Sequence, residues 1–424
     1  MNLKENIAGI NFKAIKKGII KPKDTVKLFG KLEFVISRKL SKAGRFLRKN
    51  QLSHIADALN PERKRVWTSV LFPAELVYPF GAMPLPLEIL SGLFATVGLS
   101  QEFLDVAGGA SVPNTMCSFH RLLFGLARSG YFAAPDAVAA TSLFCDGNLK
   151  SFNDAALANK SPFMFLDIPF EENEASVRYL KDQLSELVGK FSEMFGGEHM
   201  EENLRRSVVL ANEGMKRLKR IYSLRKVSSP NIFRGHEMIN FCFPSHYLLG
   251  SDVLVKIADK MIESFESGGD RHGYYRDTKL VKGCKRLMWM HIVPQYDTPL
   301  WDLIDNGVTS KIVCEEYTAP YFDGYDVSDP LGSIARRLIS HPSNGELSRR
   351  VEHAIKIAKD FNVDGVVHYS SWGCHQAAGN VSLIEREFEK NGIKFLNLNG
   401  DAVDKKNTTF GQHKTRVEAF LEAM

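Results

Sequence analysis

The spacing of apolar and polar residues changes period several times along the chain. Short apolar runs bounded by turn residues occur at Val66–Phe72, Ala137–Phe144, Phe163–Ile168, Lys285–Val293, Lys311–Cys314, Val363–Tyr369 and Lys394–Asn399. These read as buried strands. Helical spacing fills the gaps at Leu85–Val97, Ser118–Gly130, Asn148–Leu157, Leu331–Leu338, Leu347–Phe361, Ala377–Lys390 and Gln412–Glu422. Strands alternating with helices predict parallel sheets. Between Glu174 and Arg225 the alternation stops. There Leu180, Leu184, Leu187, Val188, Phe191 and Phe195 keep a helical period, Gly196-Gly197 interrupts it, and Met200–Leu224 resumes it. The expected fold is α/β: parallel-sheet lobes over 66–173 and 277–424, a helical region over 174–276, and a helical N-terminal arm over 1–65.

Charge singles out the arm. Residues 1–65 hold 17 Lys and Arg against 5 Asp and Glu, while the rest of the chain, 38 against 44, is acidic. Val26, Phe29, Leu32, Val35, Ile36 and Leu40 keep helical spacing, and no nucleic-acid motif accompanies them. An amphipathic arm with a solvated basic face follows, or one that docks on an acidic partner. Ser228-Ser-Pro230 reads as a turn and the Gly-rich Ser267–Arg276 as a hinge. No uncharged apolar run approaches the roughly 18 residues of a membrane span. Met1–Lys23 has no apolar core of a signal peptide, so the default expectation is cytoplasmic.

In that compartment six cysteines argue against structural disulfides. None forms a CxxC pair. Cys145 and Cys374 follow predicted strands and precede predicted helices, and Cys117 also sits where a loop becomes a helix. Ligands collect at the carboxyl ends of parallel strands, and a helix N-terminus favours a thiolate. Cys314 ends a short strand, Cys284 precedes one, and Cys242 falls between helices. Spacing alone fits buried unreactive thiols as well as a shared metal site. His120 and His375 flank two of the cysteines and are candidates for hydrogen bonds to sulfur or for proton transfer, or for ordinary buried or surface histidines. Asp146 and Asp401 read as loop-capping carboxylates. No nucleophile elbow, GxGxxG or Walker loop is present.

Six segments together carry a resemblance: Pro73-Ala-Glu-Leu-Val-Tyr-Pro-Phe-Gly-Ala-Met-Pro84, Asn114-Thr-Met-Cys-Ser118, Phe144-Cys-Asp-Gly-Asn-Leu-Lys150, Arg286-Leu-Met-Trp-Met290, Asp364-Gly-Val-Val-His-Tyr369 with Gly373-Cys374, and Asn399-Gly-Asp-Ala-Val-Asp404 with Thr415-Arg416. In order and spacing the chain resembles the benzoyl-CoA reductase/2-hydroxyacyl-CoA dehydratase family over most of residues 60–424. The resemblance implies flavodoxin/Rossmann-like lobes and an oxygen-sensitive iron–sulfur enzyme. It also implies a separate ATP-hydrolysing 4Fe–4S reductase as electron donor. Family dehydratase subunits hold one 4Fe–4S cluster on three cysteines, which match Cys117, Cys145 and Cys374. The additional Cys242, Cys284 and Cys314 bring the chain closest to the double-cubane branch, where two bridged cubanes take three thiolates each. That branch implies a homodimeric anaerobic reductase of a small molecule, with all six cysteines as ligands and no nucleic-acid or membrane partner. The alternatives are a single-cluster dehydratase or reductase subunit with a second, different subunit, and an electron-storage protein without turnover.

Overall fold

The computed structural model describes residues 40–227, 232–268 and 282–424. The arm before residue 40, the Ser228–Pro230 turn and most of the Gly-rich stretch after Ser267 lie outside the described residues. Helix α1 (Lys42–Leu59) opens at Ser41, whose hydroxyl accepts the Gly44 N–H at 2.9 Å. Leu47, Leu52, Ile55 and Leu59 bury one face, so this segment of the expected arm is part of the core.

The first sheet comprises β1 (Arg65–Thr68), β2 (Met83–Pro86), β3 (Ala137–Thr141) and β4 (Phe163–Leu166), all parallel, in the order β2-β1-β3-β4. β1 is shorter than its apolar run predicts, because the chain turns at Ser69, whose carbonyl accepts the Phe72 N–H at 3.0 Å. The helix expected from Leu85 begins two residues later. Met83–Pro86 pairs with β1 as an edge strand, the position that tolerates prolines lacking an N–H. Helices α2 (Leu87–Thr96), α3 (Ser100–Gly109), α4 (Ser118–Arg128) and α5 (Gly147–Asn159) complete this lobe. The middle region is helical as its periodicity predicts: α6 (Glu174–Phe195), α7 (Met200–Val227), α8 (Gly235–Tyr247) and α9 (Asp252–Glu266).

The second sheet repeats the topology of the first. Strands β5 (Lys285–Met290), β6 (Ser310–Glu315), β7 (Gly365–Ser371) and β8 (Lys394–Gly400) are parallel in the order β6-β5-β7-β8. Its helices are α10 (Leu300–Ile304), α11 (Pro330–Ile339), α12 (Leu347–Asp360), α13 (His375–Ala378), α14 (Val381–Lys390) and α15 (Phe410–Glu422). In each lobe the second strand lies outside the first and the later two follow on the other side. The strand order therefore reverses beside β1 and beside β5, the points where open α/β sheets bind ligands.

Several histidines are buried in this frame, and burial holds the imidazoles of His54, His246 and His368 down to about 4. His54 Nε2 lies 2.7 Å from the Pro84 carbonyl, to which it donates, and so ties α1 to β2. Below about pH 6.5 the unfolded chain takes up protons that these folded rings refuse. Stability is thus full above that pH and declines as pH falls toward 4. Replacing His54 with Gln retains a donor for Pro84 and should remove about one proton from that dependence. Denaturant unfolding at several pH values between 7.5 and 4.5 measures it; an unaltered slope would mean that His54 titrates normally in the fold.

Candidate functional site

One cavity lies where the carboxyl ends of the two sheets face each other. Val70 and Leu71 follow β1, Glu88 lies in the first turn after β2, and Leu143, Phe144 and Cys145 follow β3. From the second lobe come His291 and Ile292 after β5, Tyr317 after β6, and Cys374 after β7. The start of α4 adds Cys117, Phe119 and His120, and α8 adds Cys242, Phe243 and His246. Six strands of two sheets thus supply one wall each.

Glycine brings the two halves together. Gly373 has φ +69°, and a Cβ there would lie 2.6 Å from the Cys117 nitrogen and from the Met116 carbonyl carbon. No side chain fits, so the loop after β7 rests directly on the backbone entering α4. The neighbouring Trp372 indole N–H donates to the Asn114 carbonyl at 2.9 Å, and Ser118 Oγ donates to the buried Asp401 carboxylate at 2.5 Å. Gly147 lets His120 approach, since a Cβ there would meet the imidazole at 2.8 Å.

Three thiols consequently converge from both lobes. Cys117 and Cys374 are hydrogen-bonded to each other; that bond, with His291 Nε2 at 3.7 Å, holds Cys374 well below the usual thiol range. The same shared proton and then burial push Cys117 up. Burial pushes Cys145 up to about 12, and its sulfur lies 3.1 Å from His120 Nε2. The other His120 nitrogen, Nδ1, is 2.8 Å from Ser151 Oγ.

Among the described residues, no three His, Cys, Asp or Glu side chains are grouped so as to hold a single metal ion. Thiolates on one tetrahedral ion, at about 2.3 Å each, must nearly touch; a cluster spreads its ligands over several irons. Two of the three thiols stay protonated in the buried pocket on their own, so bound metal must supply the positive charge that replaces the protons. An all-thiol donor set in an apolar, water-poor pocket fits an iron–sulfur cluster.

The six cysteines do not all meet. Cys242, within α8 rather than between helices, reaches the same cavity, but burial and then Glu315 and Glu316 push its thiol well up. Cys314 is buried with Met288, Val351, Ala354 and Ile357 in a separate apolar cluster. Cys284 is half-buried just before β5, at the amino end of the strand. His120 lies at the site, whereas His375 is exposed at the start of α13. Asp146 makes no side-chain cap on α5, while Asp401 accepts the Val403 and Asp404 N–H groups at 2.9 and 2.8 Å.

Three polar residues of the cavity escaped sequence reading. Glu88 Oε2 is buried without a partner, and burial lifts its carboxyl to about 7. The Tyr317 hydroxyl and His291 Nδ1 are likewise buried and unpaired. Tyr317 stood three residues beyond the predicted strand Lys311–Cys314, whereas His291 fell inside the predicted strand Lys285–Val293, which in fact ends at Met290. Exchange of Gly373 for Ala should destabilise the protein by about 2 kcal/mol or more, from the left-handed backbone and the backbone clash together. Denaturant unfolding tests this, and wild-type stability would contradict the described loop contact.

Comparison with known proteins identifies the family. A family model described as 2-hydroxyglutaryl-CoA dehydratase, D-component, matches residues 69–424. The (R)-phenyllactyl-CoA dehydratase alpha subunit of Clostridium sporogenes is 22% identical over 373 residues, covering 84% of this chain and 89% of that protein. The (R)-2-hydroxyglutaryl-CoA dehydratase subunit alpha of Acidaminococcus fermentans is 24% identical over 301 residues, 68% of this chain and 60% of its own length. A benzoyl-CoA reductase subunit of Thauera aromatica is 29% identical over 129 residues, 29% of each chain. With the match extending from the end of β1 to the last residue, the chain belongs to the 2-hydroxyacyl-CoA dehydratase family of enzymes, as its sequence motifs implied.

Proposed function

We propose that the protein is the cluster-bearing subunit of a 2-hydroxyacyl-CoA dehydratase, with one 4Fe–4S cluster on Cys117, Cys145 and Cys374. The convergence of those three thiols beside an unpaired carboxyl carries this reading. Cys284 and Cys314 lie apart from the cavity, which favours one cluster over the double cubane. Cys242 faces two carboxylates and is best suited to remain a thiol. Relatives named alpha subunits support a second, different subunit in place of a homodimer. With no Walker loop in the sequence, ATP hydrolysis falls to a separate reductase that delivers electrons.

A cluster held by these residues would supply single electrons at low potential to a bound substrate. The side chains handle the protons. Overall, C2 loses its hydroxyl and C3 a proton, and the two leave as water. Glu88 faces the cavity with a free oxygen and a carboxyl near half-charge at neutral pH. It is placed to take the C3 proton and return it to the departing hydroxyl. The unpaired Tyr317 hydroxyl can donate to the thioester carbonyl.

Anaerobically prepared protein should contain about four irons and about four sulfides per chain. Replacing Cys117, Cys145 or Cys374 with Ser should abolish that content and the EPR signal of the reduced cluster; replacing Cys284 or Cys314 should leave both intact. About eight irons, lost on Cys284 replacement, would restore the double cubane. Glu88→Gln should keep the iron and lower turnover by about 100-fold or more. Full turnover in that variant would remove Glu88 from proton transfer, and intact cluster content without dehydration of any 2-hydroxyacyl-CoA would leave an electron-storage protein.

A further inference from the structure

We propose that this site selects 2-hydroxyacyl-CoA substrates whose acyl side chain is apolar, aliphatic or aromatic, and excludes those ending in a second carboxylate. The inference rests on the dehydratase reading and deepens it. Between the thiols the cavity is walled by Val70, Leu71, Phe119, Leu143, Phe243 and Ile292, and the surface it presents is almost wholly apolar. Among the described residues, no Lys or Arg lines it.

Apart from the neutral Tyr317 hydroxyl, assigned above to the thioester carbonyl, the remaining polar groups offer an anion little. Burial holds the His246 imidazole down to about 4 and that of His341 well below its ordinary value, so both rings are neutral near pH 7. Buried guanidiniums face these rings, but each is engaged: Arg337 Nη2 donates to Glu75 at 2.8 Å, and Arg350 is bound to Glu316. Arg121 is buried on α4 without lining the cavity. A distal carboxylate would lose its water and meet no cation, with Glu88 in the same wall. An alkyl or phenyl group loses nothing polar on entering and buries its surface against these side chains. The asymmetry disfavours the diacid strongly, because a missing counter-charge costs more than a slightly imperfect apolar fit.

Isothermal titration of the full-length, anaerobically prepared protein with thioesters that lack the 2-hydroxyl separates binding from turnover. Isocaproyl-CoA and hydrocinnamoyl-CoA should bind at least about tenfold more tightly than glutaryl-CoA, with free CoA as the baseline. Phe243→Arg places a cation in the wall and should strengthen glutaryl-CoA binding by about tenfold; if that variant does not fold, the wild-type comparison decides alone. Glutaryl-CoA binding as tightly as the apolar thioesters overturns the selectivity and leaves the dehydratase reading standing. No thioester binding better than CoA overturns both.

Discussion

The contact on which the site depends is backbone against backbone. Gly373, at the end of the second lobe's central strand, rests on the peptide units of residues 115–117 in the first lobe. No rotamer change can substitute for that approach, because the atoms that would clash are main chain. Two polar links hold it from either side, the Trp372 indole on Asn114 and the Ser118 hydroxyl on Asp401. Asp401 in turn accepts N–H groups from its own loop, so one carboxylate both shapes the turn after β8 and anchors α4. Cys117 and Cys374 lie next to this junction and meet as its consequence.

Periodicity made the lobes legible because a buried parallel strand must be apolar throughout and its crossover helix must be amphipathic. It placed Cys145 and Cys374 correctly at strand ends. The Pro73–Pro84 segment read as a turn into a second strand, but its prolines hid the bounds of β2 and its place at the edge beside β1. The cysteine count was a weaker guide, since a count carries no direction. Cys284 was already on the amino side of its strand, opposite to the end where ligands gather. Cys314 sits at the right end of β6 but on the face packed against α12, and the alternation of side chains along a strand decides such cases. Glu88 was hidden by ordinary chemistry: a carboxylate in the first turn of a helix reads as a dipole partner until its burial is seen.

Two residues at the cavity carry backbone strain. Phe144 and His291 adopt φ +76° and +71°, although neither is glycine. Their rings stack across the lobes, centroids 5.9 Å apart and planes within 17°. Such conformations persist only where the surroundings over-determine them. Here the twist in each loop turns the chain at the end of a strand and sends one ring toward the other lobe. The stack closes one side of the pocket, and His291 extends its Nε2 edge toward Cys374.

Loading a cluster on these thiols requires their protons to leave, and the histidines mark where the bonds must reverse. Ser151 Oγ donates to the Gly147 carbonyl at 2.8 Å, so His120 Nδ1 donates to Ser151 and Nε2 is left to accept from the Cys145 thiol. A metal-bound thiolate can only accept. His120 must then carry its proton on Nε2, with the Ser151 hydroxyl turned toward Nδ1. This exchange of tautomer needs no movement of the ring, and in it the Gly147 carbonyl gives up the Ser151 hydroxyl. At Cys374 no such exchange is needed, because His291 Nδ1 has no partner and the proton can reside on Nε2 from the start. The two lobes therefore contribute one sulfur already prepared for ionisation and one whose hydrogen bond to His120 would have to reverse on becoming a ligand.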